Sequence, residues 1–188
     1  SSVDYTRTGL TPSQYQFASE LAEKVWYWRV QARDNAGNVG DNSTYRSFRV
    51  DVTKPQAPAL AWPANGENEN DNTPALDWNS VSDNSTPVLY RCYVDNNSDF
   101  SSVERDSGWI SATEYTTPAL AEGVWYWKVG AKDNASNVGD NSASRSFRVD
   151  TTPPGKPTLA SPENNKLDNS LSQTFKWTQP PENSLPLT

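Results

Sequence analysis

The residues best placed for chemistry in this chain are acids and amides gathered in short turns. Asp34, Asn35, Asn38 and Asp41 crowd one turn, and Asp133, Asn134, Asn137 and Asp140 repeat it 99 residues later. Hard oxygen ligands at short spacing suit calcium, although this spacing is not that of an EF-hand. Asn and Asp also close tight turns by bonding their own backbone and by tolerating left-handed angles. That second reading is favoured, and no metal is expected. Asp133 and Asp140 are separated enough in sequence to be imagined as an acid and a base. They recur in both copies, however, and an active site duplicated with every repeat is not expected.

Other residue types narrow the chemistry further. The chain has no His and no Met, and Cys92 is its only cysteine. Lack of His removes the commonest general base and every Ser-His or Cys-His nucleophile pair. A lone cysteine makes no intrachain disulfide and no zinc site. Cys92 falls at an inward position of a predicted strand, where a free thiol behaves as a small hydrophobe. The chain is therefore expected to be no enzyme, with no catalytic, cofactor-binding or metal-binding residues.

Asn42, Asn84, Asn96 and Asn134 stand in Asn-x-Ser/Thr triplets, the acceptors of N-linked sugar in a secreted protein. With 18 Asn and abundant Ser and Thr, chance also produces such triplets, so these are candidate sites only. The segments "VWYW" at Val25–Trp28 and Val124–Trp127 offer aromatic faces that could stack on sugar rings. Parity points the other way. Trp125 and Trp127 share a face with Val129 and Ala131, as core residues do, while Tyr27 and Tyr126 point outward.

The elements that must carry these residues follow from one internal repeat. "VWYWRVQARDNAGNVGDNSTYRSFRVD" (25–51) and "VWYWKVGAKDNASNVGDNSASRSFRVD" (124–150) agree at 21 of 27 positions without a gap. In the complete repeat the apolar residues alternate: Leu76 and Trp78, then Tyr90, Cys92 and Val94, then Trp125 to Ala131, then Phe147 and Val149. Period-two alternation in short runs, broken every 8–12 residues by turn signals, predicts an all-β chain of antiparallel sandwiches with about seven strands each. Residues 1–54 read as the C-terminal half of a first repeat, 55–153 as a complete repeat, and 154–188 as the N-terminal third of another. Ser1–Asp4 align with Ser101–Glu104, Trp177 with Trp78, and Pro186 with Pro87. Gly37 becomes Ser136 in the second copy, so a differently shaped turn is expected there. The half-repeats are expected to expose apolar faces unless neighbouring chain segments complete them.

These strands resemble the fibronectin type III and immunoglobulin-like repeats of large bacterial and archaeal cell-surface proteins. The likeness rests on the Trp of the second strand (Trp78, Trp177), the Tyr90-x-Cys92-x-Val94 pattern of the third, and the aromatic-x-aromatic-x-Val-x-Ala strand, as in Trp26–Ala32. The "DTTPP" and "DVTKP" linkers complete it. It implies a fold and leaves function open, because that fold hosts many roles. The expected role is a non-catalytic structural repeat of an extracellular protein: spacer, stalk, surface-layer or filament subunit. An adhesion or carbohydrate-binding module is the second reading. The expected partners are neighbouring copies of the repeat and surface glycans. A net charge of −7 without a basic block argues against nucleic acid. No apolar run is long enough for membrane insertion in this segment. Pro-rich linkers would space the units semi-rigidly, each sandwich adding on the order of 35 Å.

Overall fold

In the computed structural model, residues 5–11 and 13–180 are described. The sequence matches made at residues 1–4 and at Pro186 lie outside them. The chain divides into two compact units, Ser1–Thr53 and Lys54–Thr188. All named elements are β-strands.

The first unit holds β1 (Lys24–Trp28), β2 (Gln31–Arg33), β3 (Val39–Asn42) and β4 (Arg46–Val50). They form two separate antiparallel pairs, β1 with β4 and β2 with β3. The second unit runs through β5 (Leu60–Trp62), β6 (Glu67–Glu69), β7 (Ala75–Trp78), β8 (Leu89–Asp95), β9 (Arg105–Asp106), β10 (Glu114–Thr116), β11 (Gly123–Lys132) and β12 (Arg145–Val149). Beyond these lies a further pair, β13 (Thr158–Ser161) with β14 (Lys176–Thr178).

Strands β5 to β12 form two sheets, ordered β10-β7-β5 and β6-β12-β11-β8-β9. Their inner faces supply one core. Leu76 and Trp78 of β7 meet Tyr90, Cys92 and Val94 of β8, Trp125 to Ala131 of β11, and Phe147 and Val149 of β12. These are the positions that the alternation put inward. The Trp78 and Tyr90 rings lie 5.9 Å apart across the two sheets. The Tyr90 hydroxyl accepts a 2.8 Å hydrogen bond from the Val81 amide, which ties the loop after β7 to the core.

The same residues behave differently where strands are missing around them. Phe147 is fully buried, whereas its copy Phe48 is 41% exposed. Trp127 is fully buried and its copy Trp28 is 50% exposed. Trp78 is 3% exposed and Trp177 60%. Local sequence is nearly constant across these pairs, so the facing sheet makes the difference. The long strand shows this too. β11 runs unbroken for ten residues. Its copy is interrupted at Arg29–Val30, between β1 and β2. β8 pairs with β11 from Tyr126 to Lys132 and holds it straight; the first unit has no strand in that place.

A paired substitution reads this difference. Phe147→Ala should cost about 3–5 kcal/mol, the usual value for a large-to-small change in a closed core. Phe48→Ala should cost less than about 1 kcal/mol. Urea unfolding curves of the two variants give both values, and equal costs would contradict the open face.

Candidate functional site

The Asp-Asn turns are the first candidates. After β11, the Asp133 carboxylate accepts from the Asn137 amide at 2.7 Å through Oδ1 and from Asn137 Nδ2 at 2.8 Å through Oδ2. After β2, Asp34 accepts the same two bonds from Asn38, each at 2.8 Å. Both oxygens of each carboxylate are thus engaged in closing the turn. Hydrogen bonds from Asn38 hold the Asp34 carboxyl below the usual range. The turn residues Gly37 and Ser136 have φ of 93° and 75°. Ser136 therefore takes the same left-handed conformation as the glycine it replaces. The expectation of a differently shaped turn is corrected: the side-chain clamp at Asp133 is strong enough to hold a non-glycine residue where backbone strain costs about 1–3 kcal/mol. Asn35, Asp41, Asn134 and Asp140 are all exposed. Sequence reading passed over Asp83, which brings a carboxylate oxygen within 4.8 Å of one on Asp133. It lies fifty residues away in sequence, and no local pattern linked the two.

The remaining candidates divide between core and surface. Trp125 and Trp127 are interior, and the Trp125 indole N–H donates to the Ala121 carbonyl at 2.9 Å. Their rings offer no platform to a sugar. Tyr126 lies half-buried and Tyr27 is exposed. Asn42, Asn84, Asn96 and Asn134 are all exposed, in reach of a modifying enzyme. Asn96 opens a loop pinned by buried Asp95, which accepts from the amides of Asn97 at 3.0 Å and Ser102 at 3.2 Å. Cys92 is fully buried. Burial pushes its thiol far above the ordinary value, with the nearby Asp106 charge adding to the effect. A thiol so held is unreactive.

A repeated latch at the linkers escaped the sequence reading. Glu122, just before β11, accepts from Thr151 Oγ1 at 2.9 Å and Thr152 Oγ1 at 2.6 Å, in the segment that follows β12. Glu23 does the same in the first unit, accepting from the Val52 amide at 2.7 Å and from Thr53 Oγ1. Both partners recur at an offset of 99, which is the signal that would have disclosed them. The latch fixes the direction in which the chain leaves the sheet.

The strand order, the two-sheet core and the antiparallel pairing together define an immunoglobulin-like, fibronectin type III-like β-sandwich for the complete repeat. No family model and no curated protein matches the chain. Among solved structures, it is similar to the α-L-rhamnosidase of Dictyoglumus thermophilum, with 13% identity over 58% of this chain and 15% of that one, at a TM-score of 0.44. The Streptomyces avermitilis α-L-rhamnosidase complexed with L-rhamnose gives 16% identity, 58% and 12% coverage, and a TM-score of 0.43. The FN1–FN3 domains of chicken CNTN1 give 15% identity, 72% and 48% coverage, and a TM-score of 0.40. The chain spans less than half the length of each of these proteins.

Two measurements test this description. Cys92 should react with a thiol reagent at native conditions far more slowly than a free thiol does, and fully once denaturant opens the core. Fast native labelling would place Cys92 outside it. Hydrogen bonds from Thr152 and then Thr151 lower the Glu122 carboxyl. A depressed folded value means that the latch is complete above the ordinary glutamate range of about 4.3 and is lost as pH falls through the folded value. Backbone relaxation at Thr151 and Thr152 should therefore show new motion only at strongly acidic pH, and at neutral pH in Glu122→Ala. Unchanged relaxation in that variant would remove the latch.

Proposed function

We propose that this chain is a non-catalytic structural segment of a large extracellular cell-surface protein, built from tandem seven-stranded sandwiches repeating every 99 residues. It serves as spacer, stalk, surface-layer or filament subunit. The observation that carries this reading is the contrast between copies. Phe48, Trp28 and Trp177 present to solvent the face that Phe147, Trp127 and Trp78 bury. Exposed apolar surface of this kind marks an interaction face, and the complete repeat supplies the template for what fits it. The incomplete sandwiches are completed by neighbouring segments of the same repeat, in the same chain or in another copy.

Two further features support the structural role. The Glu–Thr latch recurs at both linkers, as needed where each unit must set the direction of the next. The groups that looked most reactive are used to build the fold: the turn carboxylates clamp Asn38 and Asn137, and the only thiol is in the core. Placement outside the cell rests on the surface-repeat resemblance, with the four exposed sequons consistent with it.

Electron microscopy of the native material tests the proposal. A regular axial spacing on the order of 35 Å plus a linker is expected from strands of about ten residues. Isolated strings without such a spacing would overturn the array and leave a passive stalk.

A further inference from the structure

The outer face of the five-stranded sheet carries a charge opposite to that of the chain. The protein has a net charge of −7. On this face, Lys128 and Lys132 project from β11, Arg91 from β8 and Arg148 from β12. Register places them in a row. Arg148 stands level with Val124 and Arg91 level with Gly130, so cations occur at levels 124, 128, 130 and 132 of one strand. At about 3.3 Å per residue this stripe is roughly 26 Å long. Asp106 is the exposed acid beside it, binding Arg91 Nε through Oδ1 at 2.8 Å. Asp95, the other acid of this face, is buried and committed to its loop.

The cations are held in place. Lys128 Nζ sits 3.9 Å from the Phe100 ring centroid, and Lys132 Nζ 4.7 Å from that of Trp109. Arg91 Cζ lies 5.2 Å from the centroid of Tyr93. Cation–π packing limits the freedom that long side chains lose on binding, and so pre-organises them. It also covers ring faces that a neutral sugar would need.

The repeat carries the same charges elsewhere. Arg29, Arg33 and Arg49 occupy the places of Lys128, Lys132 and Arg148, with Arg49 again level with the first Val of its strand, Val25. Two of these three positions change residue type and keep their charge. Exchange of Lys for Arg is poorly tolerated where a planar fork grips one oxyanion. It is tolerated where point charges are matched along a line. The acidic pair on the opposite sheet, Asp77 facing Glu114, is not kept in the same way: Lys176 occupies the place of Asp77 in the next repeat. A second copy therefore offers no regular complement to the stripe.

We propose that this face docks a linear acidic polysaccharide carrying carboxylates, laid along β11. The choice of an extracellular polymer rests on the structural reading above, whereas the charge stripe does not depend on it. The probe is polygalacturonate, measured by isothermal titration with the full chain at 20 mM and 150 mM salt. Binding is expected at low salt and should weaken at least tenfold at the higher salt, where screening shortens to about 8 Å. Lys128→Glu/Lys132→Glu should weaken it more than tenfold, and Lys156→Glu, in the linker, less than twofold. If the Glu pair fails to fold, Lys128→Gln/Lys132→Gln is read in its place, with a smaller loss in the same direction.

No binding at low salt, or binding unaffected by the stripe variants, would overturn the proposal. Equal binding of an oligothymidylate of matched charge would also overturn it, in favour of a generic polyanion face. Self-association that is lost with the same variants would overturn it in favour of a second copy. None of these outcomes bears on the axial spacing seen by microscopy, so the two proposals fail separately.

Discussion

The two-sided pairing of β11 is the constraint on which the complete repeat depends. Its outer neighbour β12 pairs from Gly123 to Trp127, and β8 pairs from Tyr126 to Lys132. The two partners overlap for only two residues, yet between them they keep ten residues extended. Once the strand is straight, the period of two assigns every side chain. Trp125, Trp127, Val129 and Ala131 enter the core, and Tyr126, Lys128 and Lys132 stand on the outer sheet face. A slip by one residue would invert both sets at once. The interrupted copy in the first unit shows the alternative: with one partner on each half, the extended run breaks at Arg29–Val30.

What the strand does to the core it also does to the turn beyond it. β11 ends against Asp133, whose carboxylate clamps Asn137 and returns the chain toward β12. The Ser142 hydroxyl accepts from the Val129 amide at 3.0 Å, and the Val129 carbonyl accepts from the Ser142 amide at 2.9 Å. Ser43 and Val30 make the same reciprocal pair in the first unit. This local hairpin chemistry survives without the facing sheet. The hydrophobic burial does not, which separates the parts of the fold specified within 27 residues from those that need partners a hundred residues away.

That separation explains what could be read in advance. Inward and outward positions were legible because alternation is a local property; Leu76, Trp78, Cys92 and Phe147 all lie where parity put them. The carboxylate clamp was legible because Asp and Asn stand four residues apart. The continuity of β11 against the break in its copy was not legible, since the two segments are almost identical in sequence and differ in having β8 alongside. Nor was the conformation of Ser136: residue type argued for a new turn, and the side-chain bonds of Asp133 kept the old one. The Glu122 latch and the approach of Asp83 to Asp133 join residues about 30 and 50 positions apart, where no periodicity applies.

A buried group and an exposed group on one strand can be held to different requirements. Across the two copies of the long strand, the inward residues are unchanged in kind: Trp, Trp, Val and Ala recur without exception. Packing at interior density penalises a change of even one methylene. The outward residues change from Arg to Lys at two places and from Gln to Gly at a third. The Gly130 position has a geometric reason to be small, because a Cβ built there would lie 2.6 Å from Asn141 Oδ1. The Arg-to-Lys changes have no steric reason, and they alter length, planarity and hydrogen-bonding capacity together. What they leave constant is a unit positive charge over an acidic chain. A face that only needed to be soluble would be served equally well by Glu, Gln or Ser at those positions. Constancy of charge amid drift of shape is what an electrostatic requirement leaves behind, and it separates this face from both the core and the turns.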